Sequence, residues 1–421
     1  MTSTTESFHE DELVPPEWVN IDFFEAVLQS CENVTKVEVC KFKLTPGTVK
    51  GDHFASVIFR ANVDYKIQGL QKKRSLIIKI MPEMEGAKKD MLMETHIFET
   101  EVTLYTKVLP KFESILRSIG DSTKIGPNCL YFSLHPKKCI VFEDLVPLGY
   151  TVQRDREVNM EEIREIMRKL GVFHAIGYSL NIKEPELFDN LKYGLMNQSA
   201  ICDSELMTDG IAIFIEMLNE TPSLRMYKPY FEAIQKNLFK KCRQTYDEFR
   251  ENRQNDSIYV LCHGDFNYKN LMFKHNPIDM KLEDILILDF QLCHVGTTAT
   301  DLYNTFYMAC SREQRMHHFE ELFHLYYNYF KATLEKIDFH CTIPKYAEVK
   351  AMFLKHKYLG FFLLSSFLPM CYGLLSKTLD AEKLMSSREY RKTLYNDKGY
   401  IEELQHLLPK LLHRGYFEDL I

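Results

Sequence analysis

The sequence predicts an α+β chain in two lobes, an antiparallel sheet-rich part over residues 1–146 followed by a mainly helical part over 147–421. Three observations predict it. Apolar and polar residues alternate through much of residues 36–80 and again near 131–142, the period of half-buried strands. Beyond residue 159 the apolar spacing lengthens to three and four, the period of amphipathic helices. Between the helical stretches, a strand, loop and strand unit over Val260–Asp289 gathers three oxygen-bearing side chains, Asp265, Asn270 and Asp289. A chain of 421 residues is long enough for two such parts, each with its own core.

In the first lobe, Met1–Glu12 is polar and rich in Ser and Thr, which reads as a tail. Trp18, Ile21, Phe24 and Leu28 follow at helical spacing. Strands are expected over Lys36–Leu44, ended by a Thr45-Pro46-Gly47 turn, and through the alternating Val57, Phe59, Ala61, Val63 and Tyr65. In the next strand, Ser75–Ile80, the residues Leu76, Ile78 and Ile80 share one face while Ile77 and Lys79 share the other. A helix then places Phe98, Glu101 and Tyr105 on one side. Tyr131–Leu134 and Cys139–Phe142 flank His135-Pro136-Lys137-Lys138 as a hairpin, and Glu143-Asp144-Leu145 leaves the second strand before Pro147 and Gly149 stop it.

In the second lobe, Asn159 and Glu162 form the pattern of a capping box, and Ile163, Ile166, Met167, Leu170 and Phe173 carry an apolar stripe to His174, which reads as a core histidine. Helices are also expected over Ile211–Leu218 and Tyr230–Phe249, and another opens at Asp301-Leu302. His317, His318 and His324 lack the carboxylate pattern of a metal site and read as helix surface. Tyr358–Ser376 holds no charged residue and has the length of a bilayer span, but Pro369 and its serines favour a helix buried in the lobe, without stable membrane insertion. Its Phe and Leu residues, with Tyr326, Tyr327, Tyr329 and Phe330, read either as an apolar pocket or as plain core.

Composition narrows the function. A formal net charge of −7, from 52 basic and 59 acidic residues, leaves no electrostatic footprint for a nucleic-acid partner. Eleven scattered cysteines, with no Cys-x-x-Cys pair, point to reduced thiols rather than a disulfide framework or a zinc site. With no basic start leading into an apolar segment, a secretory signal is not expected, and a cytoplasmic location is.

The chemistry lies in VLCHGDFNYKNLMF and DILILDFQ. Transfer of a phosphoryl group asks little covalent help of a protein; it asks for a carboxylate to orient and deprotonate the acceptor hydroxyl, and for oxygen ligands to Mg²⁺. Asp265 suits the first task. Asn270, five residues on, and Asp289, at the end of the second strand, suit the second. The spacing is that of a kinase catalytic loop, His-x-Asp followed after four residues by Asn, with an Asp-Phe-x triplet further along. Lys79 on a strand and Glu101 on the helix after it stand in the order in which kinases form the ion pair that holds nucleotide phosphates.

HGDFNYKNLMF followed by ILILDFQ resembles the ecdysteroid kinase-like family, small-molecule kinases related to choline and aminoglycoside kinases and distantly to protein kinases. Gly264 after His263, and Gln291 after Asp289-Phe290, mark the departure from the protein-kinase loops. The resemblance implies a two-lobed protein-kinase-like fold with ATP and Mg²⁺ as cofactors. It implies as acceptor a hydroxyl on a small apolar molecule, ecdysteroid-like in class. It also implies that Lys79, held by Glu101, grips the phosphates, that the carbonyl of Glu143 and the amide of Leu145 meet the adenine, and that Gly51–Ser56 forms the phosphate-covering turn, although no G-x-G-x-x-G is present. In related kinases the counterparts of His263 and Asp301 brace the loop. Two alternatives stand beside this reading: a choline- or aminoglycoside-type kinase with a cationic acceptor, and a catalytically silent binding protein on the same scaffold.

Overall fold

The computed structural model describes residues 13–47, 56–83, 89, 92–153, 156–198, 202–251 and 257–420. The chain divides into two compact units, Met1–Leu109 with Gly126–Thr151, and Pro110–Ile125 with Val152–Ile421. The second unit thus takes in Pro110–Ile125, a segment that lies within the first lobe of the sequence reading.

The first unit is built on a five-stranded antiparallel sheet. Its strands are β1 (Glu38–Pro46), β2 (Val57–Ile67), β3 (Leu70–Ile80), β4 (Cys129–Ser133) and β5 (Cys139–Glu143), in the order β1-β2-β3-β5-β4. Alternation decides which face is buried: Val57, Phe59, Ala61, Val63 and Tyr65 of β2 join Leu76, Ile78 and Ile80 of β3 in one core. Helix α1 (Ile21–Glu32) covers that core with Phe24, Val27 and Leu28. It starts where the Asn20 side chain accepts from the Phe23 amide and stops at Asn33, whose φ of 52° is left-handed. β1 runs on through Thr45 and Pro46 instead of turning there. It is an edge strand, so the N–H that proline lacks is one the sheet can do without.

The second unit is mainly helical. Helix α3 (Met160–Lys183), named after the shorter α2 (Ile97–Thr103) of the first unit, opens with the expected capping box of Asn159 and Glu162. It packs on α7 (Phe319–Lys336) so closely that a Cβ on Gly171 would stand 2.6 Å from the Tyr326 carbonyl oxygen. Between them in sequence come α4 (Gly210–Glu220), α5 (Leu238–Glu251) and α6 (Ala299–Asn304). The single helix expected over Tyr230–Phe249 is broken: Asn237 donates its N–H back to Ile234 and offers its carbonyl to the Lys241 N–H, ending one helix and opening α5.

After the short strand β6 (Tyr150–Val152), two small antiparallel pairs carry the site. β7 (Tyr259–Cys262) pairs with β10 (His294–Thr297), and β8 (Leu271–His275) pairs with β9 (Leu282–Ile287).

The apolar run Lys357–Leu375 is long and apolar enough to cross a membrane, yet 67% of its window is buried within the unit. Two hydroxyls explain how its irregular middle is tolerated. In the π turn Leu363–Phe367 the Leu368 N–H reaches back to Leu363, so the Leu364 carbonyl takes its bond from Tyr400 Oη at 2.9 Å. Pro369 has no N–H for the Ser365 carbonyl, and Tyr395 Oη supplies it at 2.7 Å.

Candidate active site

Within the sheet unit, β3 presents Lys79 on the face opposite Leu76 and Ile78, in register with Ile58 of β2 and Ile140 of β5. Glu101 projects from α2, and the Lys79 Nζ to Glu101 Oε2 distance is 2.5 Å. Both side chains are buried, at 4% and 1% exposure. A lysine and a glutamate so withdrawn from water are held by each other, since either alone would be costly to bury.

At the end of β5, Glu143 pairs with Leu76, and its carboxylate accepts the Asn128 N–H at 2.7 Å. Leu145 is buried, and its carbonyl accepts from Leu148 and Tyr150. The residue between them, passed over in the sequence reading, fixes this exit. The Asp144 carboxylate accepts from Arg60 Nε at 2.8 Å, from Ser75 Oγ at 2.6 Å and from the Val146 amide at 3.1 Å. The turn expected over Gly51–Ser56 lies, except for the buried Ser56, outside the described residues.

In the helical unit the β8–β9 hairpin brings Asn270, just before β8, opposite Leu288, just after β9; the Leu288 amide donates to the Asn270 carbonyl at 2.8 Å. Asp289 is therefore at the same end as the loop of Asp265. Its φ of 63° is left-handed, a conformation aspartate tolerates better than most residues, and it turns the chain into Phe290–Leu292. Gln291 Nε2 donates to Asp289 Oδ2 at 3.2 Å.

Two amides hold the Asp265 carboxylate. Asn267 Nδ2 donates to Oδ1 at 2.8 Å and Asn270 Nδ2 to Oδ2 at 2.9 Å, while both also reach the Asp265 carbonyl. Burial, and then the negative charge of nearby Asp289, push the Asp265 carboxyl up to about 6. The two amides and His263 pull the other way and do not cancel this.

Beneath the loop lies a bracing network. Asp301, on α6, accepts the His263 amide at 2.6 Å through Oδ2 and the Gly264 amide at 2.9 Å through Oδ1. His174 Nε2 also meets Asp301 Oδ2 at 3.0 Å, and its Nδ1 meets Tyr326 Oη at 2.8 Å. Burial works to raise the Asp301 carboxyl, but His174, His263 and the Gly264 amide together hold it below the ordinary carboxylate range. His263 accepts the Asp265 amide at Nδ1, which leaves Nε2 to donate to the Leu288 carbonyl at 2.8 Å. One ring thus ties the Asp265 loop to the Asp289 turn. Gly264 must be glycine: its φ is 84° and a Cβ would stand 2.3 Å from the Leu292 carbonyl oxygen.

Asp265, Asn270 and Asp289 are thus brought together, and Lys79 meets Glu101. Asn267 and the His174–Tyr326 extension were missed. Asn267 stands two residues from Asp265, so its Asx-type reach could have been read from the sequence. Nothing local in the sequence links His174 to Tyr326. As donors, the Asn270 side-chain oxygen and the Asp289 carboxylate are the hard ligands Mg²⁺ prefers, and a cation there would relieve the repulsion between the two aspartates.

Among solved structures, macrolide 2'-phosphotransferase MphH from Brachybacterium faecium is 12% identical, covering 88% of this chain and 97% of its own, at a TM-score of 0.36. Choline kinase LicA from Streptococcus pneumoniae is 12% identical, covering 90% and 98%, at 0.35. Scores this low carry no argument by themselves. No curated protein matches the sequence. The model of the ecdysteroid kinase-like family matches residues 50–339, more than half of the chain. Sheet, loop and family match lead to one conclusion: this chain belongs to the ecdysteroid kinase-like family of small-molecule phosphotransferases.

Proposed function

We propose that the protein transfers the terminal phosphoryl group of ATP to a hydroxyl of a small lipophilic molecule, ecdysteroid-like in class, with Asp265 as the base. The observation that carries this reading is the state of Asp265. Its carboxylate is oriented by Asn267 and Asn270, and burial, the largest cause, raises its affinity for a proton. A carboxyl so placed is ionised at neutral pH yet more basic than a solvated aspartate, the condition that favours taking a proton from an alcohol.

Asn270 and Asp289 would hold Mg²⁺, which supplies neutralisation of phosphate charge when bound. In the sheet unit, Lys79, kept in place by Glu101, is assigned to the nucleotide phosphates, and the backbone at Glu143 and Leu145 to the adenine. The thiol content of the chain fits a cytoplasmic, reducing setting.

Transfer from labelled ATP to a panel of lipophilic alcohols and a panel of amino alcohols, repeated with Asp265→Asn, tests the assignment. Labelling of a lipophilic alcohol that falls to background in the variant supports it. Labelling of the cationic panel instead selects the choline-type reading, and labelling of neither, with nucleotide still bound, selects a silent binding protein.

A further inference from the structure

Strands β2 and β3 of the sheet unit join through the two-residue turn Gln68-Gly69, with Ile67 opposite Leu70. Both turn residues have positive φ, 50° and 82°, the geometry that a tight hairpin between right-twisted strands requires. Ile67 packs back on the core, but Leu70 is 70% exposed. Gln68, Gly69 and Gln71 beside it are exposed and uncharged. An exposed leucine alone is ordinary. Its surroundings are not.

Six cations stand behind this apex. Lys72, Lys73 and Arg74 follow on β3, Lys66 lies across the ladder from Gln71, and Lys36 and Lys41 lie just before and within β1. Among the described residues, their ion pairs draw on three carboxylates. Glu32 takes Lys72 at 2.8 Å and Arg74 at 3.0 Å, Asp64 takes Lys41 at 3.3 Å and Lys73 at 3.9 Å, and Glu38 takes Lys66 at 3.0 Å. Cations thus outnumber anions two to one here, in a chain whose formal net charge is −7. The Lys41 and Lys73 side chains are 76% and 77% exposed, and pairs so exposed hold their partners weakly. Such lysines can turn towards a stronger anion at little cost.

Two kinds of anionic partner differ in what they ask of a surface. A nucleic-acid strand is gripped by a charged groove and by aromatic faces on which bases stack. The hairpin from Ile67 to Arg74 holds no aromatic ring. A membrane leaflet is met by an apolar apex that enters the acyl boundary, with cations behind it at the level of the headgroups. Leu70 and the basic residues stand in that order along the hairpin.

We propose that this hairpin is a peripheral docking site for an anionic membrane surface, with Leu70 entering the lipid and Lys66, Lys72 and Lys73 meeting headgroup phosphates. Association of this kind is reversible and uses no membrane-crossing segment. It holds whether or not the chain transfers phosphate.

Co-sedimentation of the full chain with vesicles tests it, using phosphatidylcholine alone and an equal mixture with phosphatidylserine. At low salt the mixed vesicles are expected to bind at least about tenfold tighter, and the difference should shrink steeply as salt screens the headgroups. Lys72→Gln combined with Lys73→Gln should weaken that binding by about fivefold per lysine, and Leu70→Ser by about tenfold. All three positions are exposed, so the fold should persist in each variant, as thermal melts would verify. Equal partition onto the two vesicle types, binding to neither, or binding to the mixed vesicles that both variants leave unchanged would overturn the proposal. So would retention on a single-stranded RNA resin at the same salt with no vesicle bound, which would assign the cations to nucleic acid.

Discussion

Asp265 and Asp301 sit above and below the same short loop, and their surroundings drive them in opposite directions. Asp301 is fully buried, yet two backbone amides and His174 meet its carboxylate, and its proton affinity falls. Asp265 is less deeply placed, but it has two neutral amides and a neighbouring aspartate, and its proton affinity rises. The difference separates a carboxylate that holds a loop from the one proposed as the base. Where donors and an imidazole converge, ionisation is secured and the group is structural. Where burial and a like charge outweigh the donors, proton affinity rises, at a cost in stability.

Substitutions at the two positions break this contrast in different ways. The largest effect is expected from Asp265→Asn, which keeps the size of the side chain but removes the proposed base. Transfer rate should fall by about 10²–10⁴, with nucleotide affinity changing little, as steady-state kinetics and equilibrium titration would report. Asp301→Asn comes next. It discards the charge that two amides and His174 surround, and urea unfolding should show a loss of about 3 kcal/mol together with lower activity.

A third effect has the opposite sign. The folded pKa of Asp265 lies above the unfolded value, so its contribution to stability is full below about pH 4 and is lost as pH rises through about 6. Asp265→Asn, with divalent cations chelated, should therefore stabilise the fold at pH 8 by about 1–3 kcal/mol, with the gain vanishing near pH 4. Thermal melts across that range would show it, and a pH-independent difference would contradict it. The smallest effect is that of Tyr326→Phe, which removes one hydroxyl from His174 at the far end of the brace. About 1 kcal/mol in stability is expected, with the transfer rate nearly unchanged.

What the sequence reveals follows from how far apart the partners lie along it. Asp265, Asn270 and Asp289 belong to one loop and one hairpin, so spacing and strand period bring them together before any coordinates exist. Lys79 and Glu101 are legible for a similar reason, strand period on one side and helix period on the other. The bracing of Asp301 by His174 and Tyr326 spans helices far apart in the chain, and no local pattern records it. The break at Asn237 and the strand β10 depend on tertiary packing and single hydrogen bonds, which periodicity does not weigh. The aromatic and apolar residues near Tyr326 and in the Tyr358–Ser376 run divide in a way the sequence leaves open. Tyr326 and Phe330 are core, whereas Cys371, Tyr372 and Leu375 border a cleft.

The most direct test of the contrast is a carboxyl titration by NMR on protein labelled at the aspartate side-chain carbons, with the Asp265 signal assigned by its absence in Asp265→Asn. The structure predicts that this signal titrates near pH 6 while that of Asp301 stays ionised well below it. An Asp265 signal titrating at or below about pH 4, like a solvated aspartate, would contradict the account.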